Sequence, residues 1–91
     1  MKQVNRDYKN LLQEGHKAQV EKLRENDHKS GFDTEGMDVL FHKLTIEMRE
    51  LYDEIFCDTP DYNKIRREAA DVMNFAAMII LNCVQKLYRN K

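Results

Sequence analysis

Backbone breakers are scarce in this chain: one proline and three glycines in 91 residues. That scarcity favours long helices joined by few connections. Cysteine is scarce too. Cys57 and Cys83 stand far apart in no C-x-x-C pattern, so both read as reduced thiols, in the core or near the surface, of a cytoplasmic protein. Neither sign of charge is in excess. The formal net charge is −1, which argues against duplex nucleic acid as a partner. Long apolar runs are missing: the longest, Phe75 to Leu81, has seven residues, against the roughly 20 that a membrane span needs. No membrane partner is therefore expected. The opening Met1-Lys2-Gln3-Val4-Asn5 is polar and holds no apolar signal core, in keeping with a cytoplasmic chain.

Charged residues make up 34% and hydrophobic residues 42%, the balance of a soluble globular domain. The length suits a single domain over residues 1–91. A chain of this size buries only roughly 60–65% of its unfolded surface, so it is marginal alone and is expected to share its core with another copy.

Two clusters of breakers divide the sequence into three segments. The first is Ser30-Gly31 with Asp33, Thr34 and Gly36; the second is Asp58-Thr59-Pro60-Asp61. The first segment, about 4–28, carries Tyr8, Leu11, Leu12, Val20 and Leu23 as a sparse apolar face, with Gly15 as a weak point. In the second, about 37–56, Leu40, Phe41, Leu44, Met48, Leu51 and Ile55 recur at three and four, a helical stripe that Asp33 or Thr34 is placed to cap. The third runs over about 60–89, with Thr59 and Pro60 as the expected cap and first helical position, and Lys86 and Arg89 suiting the dipole at its other end. From Ala69 to Val84 this segment is apolar nearly all round, interrupted by Asp71, Asn74 and Asn82. Such a helix must be covered on all sides. Three helices of one chain cannot easily do that, so the expected fold is an all-α bundle of three main helices completed by dimerisation.

The two later helices carry acids where a plain bundle would not. At 100° per residue Glu47 lies at the edge of the apolar stripe of its helix, which centres roughly 70° away. Glu50 is one turn on and Glu54 is almost directly below Glu47, so the three form an acidic ridge flanking the core. Glu68 and Asp71 are an i, i+3 pair, and Asp71 sits among apolar neighbours. A lone carboxylate there is costly, and like charges at that spacing repel. A bound divalent cation relieves both problems, because hard cations take carboxylate oxygens.

The stretch Lys43-Leu44-Thr45-Ile46-Glu47-Met48-Arg49-Glu50-Leu51-Tyr52-Asp53-Glu54-Ile55, followed by Arg67-Glu68-Ala69-Ala70-Asp71-Val72-Met73-Asn74-Phe75, resembles the MazG-like nucleotide pyrophosphohydrolases. These belong to the all-α NTP pyrophosphatase superfamily, which also includes the dimeric dUTPases. Their pattern is a K-L-x-E-E-x-x-E-L helix followed by an E-x-A-D-V helix, and the resemblance covers about Phe41 to Asn82. It implies Glu47, Glu50, Glu68 and Asp71 as ligands of Mg²⁺, with Mn²⁺ as a substitute. The chain departs from the pattern at Ile46, where many members carry glutamate. The implied reaction hydrolyses a nucleoside triphosphate between its α- and β-phosphates, with Glu47 and Glu50 as catalytic carboxylates; the base is one of the four acids, and Glu50 is a candidate. The implied assembly is a homodimer or a tetramer, and the implied location is the cytoplasm, of a bacterium or of a host cell for a phage-borne member. The role that the resemblance implies is nucleotide pool cleaning or control of dNTP and dUTP. The alternative is a non-catalytic helical module that binds nucleotide or metal.

Around the acids, Lys29, Lys43, Asn74 and Asn82 are candidate substrate-binding residues. Lys29 precedes the Ser-Gly break, where related short phage-type members carry a lysine-glycine step, and is a candidate phosphate ligand. Asn82 follows Asp71 by 11 residues, on about the same helix face, and Asn74 is less well aligned. Each asparagine also reads as a core residue, paired to a backbone group or across a dimer interface. Phe75 and Met78 flank the acid face as candidate pocket walls or as core.

Overall fold

A computed structural model of the chain describes residues 2–25 and 35–89. These form three α-helices and no strand: α1 (Lys2–Glu25), α2 (Met37–Ile55) and α3 (Tyr62–Arg89). The all-α class is as expected. The end of the first segment at His28, the Ser30-Gly31 break, and the cap candidates Asp33 and Thr34 lie outside the described residues.

The helix boundaries follow from local chemistry. The N-cap of α2 is Gly36, extended at φ −72° and ψ 158°, with no side-chain cap; its carbonyl accepts from the Leu40 N–H at 3.1 Å. At the other end the Phe56 N–H donates to the Tyr52 carbonyl, and the two rings pack with centroids 4.7 Å apart. The start of α3 corrects the expectation that Thr59 and Pro60 open it. Asp61 takes the cap instead: its Oδ1 accepts from the backbone N–H of Asn63 at 3.0 Å and of Lys64 at 3.3 Å. A carboxylate both satisfies orphan donors and suits the positive end of the helix dipole.

Helix α3 is the axis of the bundle, and α1 and α2 both pack along it. Contacts fix the directions. On one side Glu35 meets Asn82, Glu50 and Glu47 lie with Glu68, and Glu54 meets Lys64, so α2 and α3 are antiparallel. On the other side Gly15 faces Met73, Lys22 meets Asp71, and Glu25 meets Arg67, so α1 and α3 are antiparallel as well.

The seam of α2 is not the whole apolar stripe. Met37, Leu40, Leu44, Glu47, Leu51 and Glu54, spaced alternately by three and four, are buried or half-buried. Phe41, Met48, Tyr52 and Ile55 turn outward. Glu47 therefore lies within the buried seam, not at the edge of it. Helix α1 departs further from its pattern. Tyr8, Leu11, Leu12 and Leu23 face outward, while Ala18 is buried and Gly15 meets α3. A Cβ on Gly15 would stand 2.9 Å from Met73 Cε, so the missing side chain allows the close approach. Small residues bring the two backbones together, and the leucines stay exposed.

The core inside one chain is thin. Among the described residues the buried apolar side chains are Ala18, Leu40 and Ala70. The radius of gyration is 15.3 Å, against about 12 Å for a closed domain of this length. One described helix, Tyr62–Tyr88, is long and apolar enough to cross a membrane by length and composition.

Candidate metal centre

Three glutamates from two helices converge. Glu47 and Glu50 stand one turn apart on α2, and Glu68 comes from α3; one carboxylate oxygen of each lies within 4.8 Å of the others. The antiparallel packing of α2 on α3 creates this meeting, since it sets the middle of α2 against the first third of α3. Glu50 is exposed and the other two are half-buried. Among the described residues no ion pair reaches any of the three. Glu47 Oε2 and Glu68 Oε2 are buried and have no hydrogen-bond partner.

The electrostatics follow from that crowding. Burial, the hydrogen bond shared with Glu50, and the charges of Asp71, Glu50 and Glu68 push the Glu47 carboxyl up from 4.5 to about 7. Burial and the charges of Glu50 and Asp71 also raise Glu68. Asp71 is raised by its burial, although Lys22 opposes the shift. Acids that resist ionisation together are short of positive charge. A set of carboxylate oxygens with two buried and unpartnered members suits a hard cation, and Glu47, Glu50 and Glu68 could hold a metal ion.

Asp71 stands one turn beyond Glu68 and is not part of the convergent trio. Its Oδ2 lies 3.4 Å from Lys22 Nζ, which also approaches Glu25 at 3.3 Å. Burial alone would lower the Lys22 ammonium; the charge of Asp71 and the hydrogen bonds to Glu25 and Asp71 outweigh it and hold the group raised. Glu54 is engaged by Lys64 at 3.2 Å.

The other sequence candidates are spread along the bundle. Lys43 is paired to Glu35 at 2.5 Å. Asn74 is buried, and its Nδ2 donates to the Gln19 carbonyl of α1 at 3.2 Å. Asn82 is buried, and its Nδ2 donates to the Glu35 carbonyl at 3.2 Å, leaving Oδ1 without a partner. Both asparagines thus tie α3 to a backbone group. Phe75 and Met78 are half-buried. Lys29 lies outside the described residues.

Arg67, which precedes the Glu68–Asp71 pair and reads from the sequence as a further candidate for phosphate, holds Glu25 at 2.7 Å instead. Lys22, and the pair of Arg66 with Glu21 at 2.7 Å that also clamps α1 to α3, were not singled out from the sequence. No signal in α1 marks them, because its leucines point the helix the other way. In comparisons with known proteins, no family model, no curated protein and no solved structure matches the chain.

Proposed function

We propose that this protein is a Mg²⁺-dependent nucleoside triphosphate pyrophosphohydrolase of the MazG-like kind. The observation that carries the proposal is the meeting of Glu47, Glu50 and Glu68 with two buried oxygens left unpartnered. Support comes from the order of the acids along the chain, which is that of the two MazG-like helices.

Glu47, Glu50 and Glu68 would hold the cation, with Asp71 joining them from the next turn of α3. Mg²⁺, or Mn²⁺ in its place, neutralises phosphate oxygens and lowers the pKa of a water. Glu50 is the exposed member of the trio, so it can reach a water outside the seam and orient it or take its proton. Glu47 and Glu68, placed by the packing of α2 on α3, already hold a carboxylate oxygen each within 4.8 Å of the other, so the cation would need little rearrangement. The net reaction adds one water across the α–β anhydride and yields a nucleoside monophosphate and pyrophosphate.

The assembly belongs to the same proposal: a homodimer, or a tetramer built from it, in the cytoplasm. The chain exposes 7517 Å², against about 5,600 Å² for a compact monomer of its mass. Phe41, Met48, Tyr52 and Phe56 from α2, and Ile80, Leu81, Leu87 and Tyr88 from α3, contribute large apolar groups to that surface. An excess of about 1,900 Å² per chain matches what an obligate interface buries. A second copy covers it better than a bilayer does, because Asp71, Asn74 and Asn82 lie within α3, and polar groups at membrane depth are expensive.

The test is pyrophosphate release from a panel of standard and modified NTPs and dNTPs, with and without Mg²⁺, for the parent chain and Glu47→Gln. Mg²⁺-dependent release that the substitution abolishes is the expected result. A folded parent that releases nothing from any nucleotide contradicts the enzyme and favours a non-catalytic binding module.

A further inference from the structure

Lys22 has no part in the metal-binding pattern, yet the fold brings it to the acid cluster. It stands in the last turns of α1, on the stripe that also carries Gly15, Ala18 and Glu25, and this stripe faces α3. Its ammonium is half-buried and lies 3.4 Å from Asp71 Oδ2. Its charge acts on Glu68 as well as on Asp71. The neighbouring cations of α3 are committed elsewhere: Arg66 holds Glu21 and Arg67 holds Glu25.

Resting on the pyrophosphohydrolase reading, we infer that Lys22 is a phosphate-binding residue that exchanges partners with the state of the site. Without a divalent cation its ammonium neutralises Asp71. When the cation takes the carboxylates, the ammonium is displaced from Asp71 and becomes the positive group available to the triphosphate. Two physical facts support the exchange. An ammonium and a divalent cation compete for the same carboxylate oxygens, and a lysine on a four-carbon stem can change partners by rotamer alone. The half-buried stem can keep its place while the head moves.

This exchange gives Lys22 opposite effects on the two ligands. Replacing it by methionine keeps the stem and removes the charge, which frees Asp71 for metal and deprives the phosphates of a partner. Mn²⁺ binding, read by electron paramagnetic resonance on the metal alone, should tighten severalfold in Lys22→Met. Inorganic triphosphate, titrated calorimetrically at saturating Mg²⁺, should bind about tenfold more weakly, the scale of one charge-assisted hydrogen bond. Lys22→Arg should restore triphosphate binding. A merely structural lysine would weaken both ligands together, and that outcome overturns the inference. So does a Lys22→Met chain in which either affinity is unchanged. A parent chain that binds neither Mn²⁺ nor Mg²⁺ overturns the metal-centre reading itself, and this inference falls with it.

Discussion

At the scale of single residues, Glu47 carries the most informative prediction. Its carboxyl is pushed up from 4.5 to about 7, chiefly because it is buried in the α2 seam beside Glu50. A raised carboxyl means that the folded state holds its proton more tightly than the unfolded state does. Between pH 4.5 and 7 the metal-free protein therefore loses stability as pH rises, and above pH 7 the loss is complete. Solvent over the open side of the site reduces the effect to about 1–2 kcal/mol. Thermal unfolding in EDTA should show a higher Tm at pH 5 than at pH 8. Glu47→Gln should flatten that slope and raise the Tm at pH 8 by roughly 5–10 °C. Mg²⁺ should stabilise the parent at pH 8 and have little effect on the substituted chain. A parent with the reverse slope contradicts the electrostatic account of the site. The acids themselves were legible in the sequence, since a charge at core spacing stands out against its neighbours. Lys22 was not, because a lysine on a polar helix shows no sign of what it will face.

At the scale of elements, the α1–α3 contact turns on Gly15. Alanine there gains up to about 1 kcal/mol of helix propensity, and the atom in its way is the flexible end of Met73. Gly15→Ala should therefore be neutral or raise the Tm slightly. Gly15→Leu should push the helices apart and cost about 1–3 kcal/mol by chemical denaturation. At the start of α3, Asp61→Ala should cost about 1 kcal/mol by the same measurement, whereas Thr59→Ala should cost little. The number and rough extent of the helices were readable from periodicity and from two breaker clusters. The rotation of each helix was not. On α2 the apolar stripe is wide enough to serve two surfaces, so its centre misplaces Glu47. On α1 the face toward α3 is made of glycine, alanine and charge, which no hydrophobic pattern reveals.

At the scale of the whole molecule, the thin core and the wide apolar surface lead to the same expectation. Sedimentation at micromolar concentration should give a dimer or a tetramer, with a Tm that rises with protein concentration. Met48→Glu combined with Tyr52→Glu should give a monomer that unfolds at lower temperature, as both residues lie outward on α2. A parent that sediments as a monomer with a sharp transition would contradict the shared core. The sequence raises the expectation of an oligomer, but which apolar faces stay open was visible only in the packing of α1 and α2 on α3. The central claim is that three glutamates act together on a triphosphate, and ³¹P NMR of the reaction products tests it. With Mg²⁺ and an accepted nucleotide, the parent should yield equal amounts of nucleoside monophosphate and pyrophosphate, while a folded Glu68→Gln chain yields neither. Nucleoside diphosphate and orthophosphate in their place, or full turnover by Glu68→Gln, would contradict the claim.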